Sequence, residues 1–171
     1  MTRRLLSLVS LLVCLTSAWA ATTLQLAVGT VTTALNTEMN SIGSNGWTAA
    51  SATIDNRIGQ TLQGSLLCRV EALVTYAASP TAGGAITGWF LKTVDTTNFE
   101  NTPTATIGLN RLPDFVIPAT TGQTGTRASV DVRCPAERFK VVVQNTASGQ
   151  SWNGGGVNFL KILPITLQGN P

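Results

Sequence analysis

The stretch Thr126-Arg-Ala-Ser-Val-Asp-Val-Arg-Cys-Pro-Ala-Glu-Arg-Phe-Lys-Val-Val-Val-Gln144 decides the fold class. Apolar residues occupy alternate positions before Pro135, and the alternation resumes after it; they are Ala128, Val130, Val132 and Cys134, then Phe139, Val141 and Val143. A period of two residues is typical of a β-strand with one buried face. We therefore predict two strands, 126–134 and 138–144, with the short Cys134–Glu137 segment as a hairpin connection.

The same pattern extends in both directions along the chain. Ser65–Tyr76 alternates most cleanly, whereas Ala85–Val94 and Val157–Leu167 are apolar on both phases, which predicts burial of both faces. Shorter candidate strands are 24–31, 50–54, 105–109 and 114–117, and only Thr33–Ser41 has a helical look. About eight or nine short antiparallel strands separated by Gly- and Asn-rich turns predict an all-β protein, a single jelly-roll-like β-sandwich spanning 21–171.

The first twenty residues have the organisation of a secretory signal peptide. Arg3 and Arg4 precede the apolar run Leu5–Leu15, and Ala18-Trp19-Ala20 supplies the small residues of a cleavage site. We expect cleavage after Ala20, which would place the domain in the periplasm or outside the cell. An N-terminal hydrophobic segment that is retained is the alternative.

Charge is sparse in this 171-residue chain, at 11%, while 43% of the residues are hydrophobic. Without Arg3 and Arg4, basic and acidic residues nearly balance, and no Lys/Arg run remains, so we predict no nucleic-acid partner. Cys68 and Cys134 both fall on the apolar phase of their strands. In an oxidising compartment they could form a disulfide, and two buried thiols are the alternative.

Catalytic and cofactor chemistry has little support in this sequence. The chain contains no histidine, which excludes Ser-His-Asp and Cys-His catalysis and His-ligated zinc, and it contains no phosphate-binding loop. Asp95 and Glu100 could form a glycosidase pair, and the oxygens of the loop 95–101 could hold Ca²⁺. We favour a hydrogen-bonded loop with an Asx-turn at Asp95 or Asn98 and with Phe99 beneath it. No catalytic residue, cofactor or metal is therefore predicted.

Aromatic and amide side chains in the loops are the candidates for contact with a partner. Aromatic rings in Gly/Asn/Ser-rich loops can stack on sugars or anchor an interface, or else fold back to cap the sandwich. The long loop 145–156 is the best candidate contact surface, and Trp152 is expected at its exposed end. The predicted contact residues are Trp47, Asn98, Phe99, Asn145, Trp152 and Asn153.

Three blocks of the sequence resemble a family of small, mostly uncharacterised virion-associated proteins of tailed bacteriophages and prophages. The blocks are Ile54-Asp55-Asn56 before the strand 65–76; Pro80–Asn101 with Gly83-Gly84; and Pro135–Thr166 with Phe139-Lys140-Val141, Gln144-Asn145, Ser148-Gly149 and Lys161-Ile162-Leu163-Pro164. In the family the loop of the second block usually reads Asp-Gly-x-Asn-Tyr-Glu-Asp, whereas this chain has Thr96, Phe99 and Asn101.

The resemblance implies a non-enzymatic virion protein, either a capsid decoration or a tail-associated protein. It implies contacts with other virion proteins and a homo-oligomer, commonly a trimer. The alternative is an exported β-sandwich module that binds carbohydrate or a cell surface through Trp47 and Trp152, which accounts better for the N-terminal segment.

Overall fold

The computed structural model describes residues 24–93, 95, 97–102, 110–116 and 125–169. The predicted signal segment and the predicted strand 105–109 lie outside these residues. Within residues 28–166, one compact unit contains the core. In the second, smaller unit, to which residues 24–27 and 167–169 belong, the strand β1 (Leu24–Val28) is hydrogen-bonded to the strand β9 (Phe159–Gly169).

The structure has nine strands within the described residues. They are β1 Leu24–Val28, β2 Thr32–Leu35, β3 Ile54–Asp55, β4 Leu67–Thr75, β5 Ala85–Lys92, β6 Phe115–Val116, β7 Gly125–Arg133, β8 Arg138–Thr146 and β9 Phe159–Gly169.

Strands β2 to β9 form a jelly roll, which confirms the predicted fold class. One sheet, called sheet A, has the order β2-β9-β4-β7, and the other, sheet B, has the order β3-β8-β5-β6. Four of the antiparallel pairings are nested in one another: β5 with β6, β4 with β7, β3 with β8 and β2 with β9. This arrangement of eight strands in two facing sheets defines the jelly roll.

The alternation in the sequence accounts for the two faces of sheet A. In β4 the residues Cys68, Val70, Ala72 and Val74 are fully buried, while Arg69 points to solvent. The register pairs buried residues with inward-facing neighbours, as in Val70 opposite Val130 of β7 and Ile162 of β9. Strand β5 is buried at every position from Ala85 to Leu91, as its apolar phases predict, because its outer face has a covering of its own.

The connection from β7 to β8 differs from the prediction. Cys134–Glu137 is a corner that carries the chain from sheet A to sheet B, not a hairpin between neighbouring strands. Its start is held by a hydrogen bond from Cys134 N to Leu66 O and by the disulfide to Cys68, whose Cα lies 5.4 Å from that of Cys134. Of the two alternatives that the sequence leaves open for these cysteines, the disulfide is the one that forms. Strands β7 and β8 face the same core from opposite sides, so each has alternating apolar residues. Two neighbouring strands of one sheet would show the same alternation, and the sequence pattern therefore does not distinguish a corner from a hairpin.

The N-terminal part of the unit is less regular than the sequence suggests. The predicted strand 24–31 ends at Val28, as β1. The stretch Thr33–Ser41, which has a helical look in the sequence, begins within the strand β2 and has a single 3₁₀ turn at Thr37–Met39. Met39 and Leu35 are buried, so this turn contributes to the core. No helix in the described part of the chain is long and apolar enough to cross a membrane.

Asp55 binds two arginines where β3 meets β8. Its carboxylate accepts hydrogen bonds from Arg57 (Nη2, 2.7 Å) and from Arg138 (Nε, 2.9 Å). The hydrogen bond from Arg57, with that from Arg138, holds the pKa of Asp55 well below its usual range, although burial opposes the shift. A carboxyl group with a lowered folded-state pKa stabilises the fold above its unfolded pKa of about 4, and this contribution is lost as the pH falls.

We expect Asp55→Asn to lower the free energy of unfolding by about 1 kcal/mol at pH 7. The difference between wild type and variant should begin to shrink below about pH 4, where the Asp55 carboxyl of the unfolded chain takes up a proton, and it should be lost only as the pH falls through the lowered folded-state pKa. Urea denaturation at pH 7 and pH 3 measures both effects. Asp131→Asn is the control, because its pair with Arg69 is half exposed and should contribute less. A difference at pH 3 as large as that at pH 7 would contradict the assignment.

Candidate binding site

The outer face of sheet B carries a second apolar cluster, separate from the main core. Trp89, Leu91 and Val142 are almost completely buried there, with Trp47 and Phe99 packed half-buried against them. Trp89 of β5 lies directly opposite Val142 of β8. We call these five residues the aromatic face. Because Trp47 and Phe99 are only half-buried among the described residues, part of each ring is accessible to a partner.

Trp47 is positioned by the segment 48–51, which runs alongside β8 and is hydrogen-bonded to it. Thr48 N and Ser51 N donate to the carbonyls of Val143 and Val141, and the Thr48 and Ser51 hydroxyls accept the N–H groups of the same two β8 residues. The hydroxyls thus replace backbone carbonyls where the segment is too irregular for a regular ladder. The Trp47 ring is thereby held 4.7 Å from the Trp89 ring, at an interplanar angle of 39°.

Phe99 is positioned by the loop that follows β5. Asp95 accepts hydrogen bonds from Thr93 Oγ1, from the backbone N–H groups of Thr97 and Asn98, and from Asn98 Nδ2. These bonds lower the pKa of Asp95 well below its ordinary value, and the bonds from the Asn98 and Thr97 backbone contribute most. The predicted hydrogen-bonded closure with Phe99 beneath it is therefore confirmed. Lys140 Nζ lies 4.7 Å from the centre of the Phe99 ring.

The carboxylates proposed as a glycosidase pair have other partners. The four hydrogen bonds that the Asp95 carboxylate accepts from described residues come from its own loop. Glu100 accepts from Lys92 N and from Asn110 Nδ2. Both carboxylates therefore stabilise the loop through hydrogen bonds. Among the residues that the structure describes, no group of three His, Cys, Asp or Glu side chains is placed to hold a metal ion.

Arg111 and Lys140 supply positive charge at the rim of the aromatic face. The Arg111 guanidinium lies 5.9 Å from the centre of the Trp89 ring and pairs with Asp114 at 2.6 Å. Trp89 Nε1 is buried and has no hydrogen-bond partner within the described ranges. Sequence reasoning missed these two cations, because only the β5–β8 register and the bridge from Trp89 to Arg111 bring them beside the rings.

The structure separates the six predicted contact residues into two groups. Trp47, Asn98 and Phe99 lie on or beside the aromatic face, as described above. Asn145 and Trp152, however, are buried, with exposed fractions of 0% and 1%. Asn153 is exposed, but its Oδ1 accepts a hydrogen bond from Gly155 N within its own turn.

The expectation that Trp152 is the exposed end of the loop 145–156 is therefore wrong. Its backbone bridges to Tyr76 and donates to Ile42 O, and its ring belongs to the main core. Asn145 is also internal, because its Nδ2 donates to Ile42 O and Gln150 O and so fastens the loop from within. Trp152 thus caps the sandwich, the alternative recognised in the sequence, and only Trp47 and Phe99 remain as candidate contact rings.

No protein-family model and no curated protein sequence matches this chain. Among solved structures, the chain is similar to the C-terminal CBM6 of LamC, a marine laminarinase from Zobellia galactanivorans. The two share 17% sequence identity with a TM-score of 0.41, over 82% of this chain and 98% of that one.

Proposed function

We propose that this protein is an exported β-sandwich module that binds glycans through the aromatic face. The observation that carries the proposal is Trp47, a half-buried ring held against the buried Trp89 beside a second half-buried ring, Phe99. The jelly roll itself occurs in both viral capsid and lectin domains, so the fold does not choose between functions and the site must.

The geometry of Trp47 suits recognition of a sugar ring. An indole presents a large apolar surface with few rotatable bonds, and Trp47 is already fixed on both sides by backbone hydrogen bonds and by Trp89. A preorganised ring loses little conformational entropy when a ligand stacks on it. Lys140, which forms no ion pair among the described residues, stands next to Phe99 and can donate hydrogen bonds to hydroxyl groups.

Export is supported by the disulfide. Cys68 and Cys134 are bonded and buried, and such structural disulfides form and persist in oxidising compartments. The signal-like segment 1–20 is in keeping with this location, and its cleavage after Ala20 stays a prediction that N-terminal sequencing of the native protein tests.

We expect Trp47→Ala to weaken glycan binding at least about tenfold while the domain stays folded, because a central aromatic anchor carries a large share of binding energy. A glycan array identifies the ligand, and calorimetric titration with the best glycan gives the affinity. Phe159→Ala is the matched control. Phe159 is also half-buried with a lysine over its ring, Lys161 at 4.2 Å, but it lies on the outer face of sheet A.

The proposal fails if the wild-type domain binds no glycan. It also fails if Trp47→Ala binds as tightly as wild type, or if Phe159→Ala weakens binding to the same extent. Circular dichroism and the melting temperature of each variant show that a loss of binding is not a loss of folding.

Assembly into a phage particle, as a capsid decoration or tail-associated protein and as a homo-oligomer such as a trimer, stays a second prediction. The outer face of sheet A, which is exposed in the part of the chain that the structure describes, favours it. That face combines the ion pairs Arg69–Asp131 and Arg127–Glu71 with the exposed side chain of Leu67. A regular mixed surface of this kind suits contacts between proteins. Mass spectrometry and immunogold labelling of purified virions test it, and absence from the particle would contradict it.

A further inference from the structure

Most cations of the described chain have a partner. Of the eleven Lys and Arg residues, only Arg3 and Arg4 lie outside the described ranges. Five arginines pair with carboxylates and two lysines stand over aromatic rings; they are Arg57, Arg69, Arg111, Arg127 and Arg138, then Lys140 and Lys161. This leaves Lys92 and Arg133, whose side chains have neither an ion pair nor a ring contact within the described residues.

The two unpartnered cations line the same cleft. An open cleft of about 480 Å³ lies at the end of the sandwich where β5 and β7 end and the corner 134–137 crosses between the sheets. Lys92 enters it from sheet B and Arg133 from sheet A, although they are far apart in sequence. Apolar side chains form much of the remaining wall, among them Leu66, Phe90, Leu112 and Val132.

The charge of this cleft is positive. Arg111 lines it as a third cation, already paired with Asp114, and Glu137 is the single acid among its lining residues. The side chain of Glu137 forms no ion pair or hydrogen bond with the described chain. Apolar walls next to unpaired charges lower the local dielectric and strengthen attraction of an opposite charge. Arginine in particular presents a planar fork of donors that fits a carboxylate or sulfate.

We propose that this cleft binds a small organic anion, a carboxylate or sulfate ester carried on a body the size of one ring. Lys92 and Arg133 would hold the anionic group, and Leu66, Phe90 and Leu112 would contact the body. The volume falls within the range of small-molecule sites, about 300–1,000 Å³. The site is distinct from the aromatic face, and the proposal does not depend on the glycan-binding function.

Calorimetric titration with glucuronate, glucose 6-sulfate, glucose and inorganic sulfate tests the proposal. We expect binding of at least one of the two acidic sugars, with glucose and inorganic sulfate at least about tenfold weaker, because each lacks either the charge or the body. Lys92→Gln and Arg133→Gln should each weaken binding of the acidic sugar by about tenfold or more. Arg127→Gln is the matched control, since it removes a cation that lies on the outer face of sheet A.

Glu137→Gln provides a test of opposite sign. Removing the one acid of the cleft should strengthen binding of the acidic sugar, and raised salt should weaken binding by wild type. Trp47→Ala should bind the acidic sugar as wild type does, which separates this site from the aromatic face. The proposal is overturned if neither acidic sugar binds, if glucose or inorganic sulfate binds as tightly, or if Arg127→Gln reduces the affinity as much as Arg133→Gln.

Discussion

Replacing both bonded cysteines, Cys68→Ala with Cys134→Ala, is expected to lower the free energy of unfolding by about 4 kcal/mol. The disulfide joins residues separated by 66 positions, and a cross-link over a loop of this length removes much of the conformational entropy of the unfolded chain. Both residues are also buried, so their replacement additionally removes packing in the core. Urea denaturation of the oxidised wild type and of the double variant measures the difference.

Wild-type protein unfolded and refolded in reductant is the control for the disulfide. It should approach the stability of the double variant, while the double variant itself should not respond to reductant. A difference below about 1 kcal/mol between oxidised wild type and the double variant would show that the bond does not contribute to stability as the loop-closure argument requires.

Trp152→Ala is expected to destabilise the protein by about 3–5 kcal/mol, the range for truncating a large buried aromatic side chain. Trp152 is 1% exposed and lies beside Tyr76, for which burial raises the pKa to about 12 against the smaller opposing effects of Thr126 and Trp152. Removing the indole would leave a cavity in this part of the core. Guanidinium denaturation followed by circular dichroism measures the change.

Trp47→Ala is the internal comparison for Trp152→Ala. Because Trp47 is only half-buried, its truncation should cost less stability but more glycan affinity, whereas Trp152→Ala should act through stability. If Trp152→Ala leaves stability unchanged and abolishes binding, then Trp152 belongs to a contact surface after all, and the division made here between the two tryptophans is wrong.

Strand positions could be predicted well because they depend on local alternation. The predicted strands 65–76 and 126–134 differ by at most two residues from β4 and β7. What the alternation does not encode is which sheet a strand joins. Cys134–Glu137 is as short as a hairpin connection, yet it changes sheet, and this follows only from the nested pairing of β4 with β7 and of β3 with β8.

The candidate site could be predicted only in part, for a related reason. Loop composition indicates that Trp47 and Trp152 follow turns, but it does not show whether a ring folds inward. Trp152 turns inward because its backbone bridges Tyr76, a contact between distant parts of the chain. Likewise, Lys92 and Arg133 are ordinary charged residues in the sequence. They become conspicuous only when every other described cation is seen to have a partner.

The nested order of the strands also determines how the chain can find its fold. The pair β5–β6 closes the shortest stretch of chain, and each pair outside it, ending with β2–β9, encloses all the previous ones. Long closures are slow because their entropy must be lost before distant contacts form. The bond between Cys68 and Cys134 lies midway in this series. Once this bond forms, the 66-residue separation between the cysteines no longer adds to the length of chain that must close when β3 pairs with β8 or β2 with β9. The disulfide thus separates folding into two shorter loop closures, one for the pairs inside the bond and one for the pairs outside it.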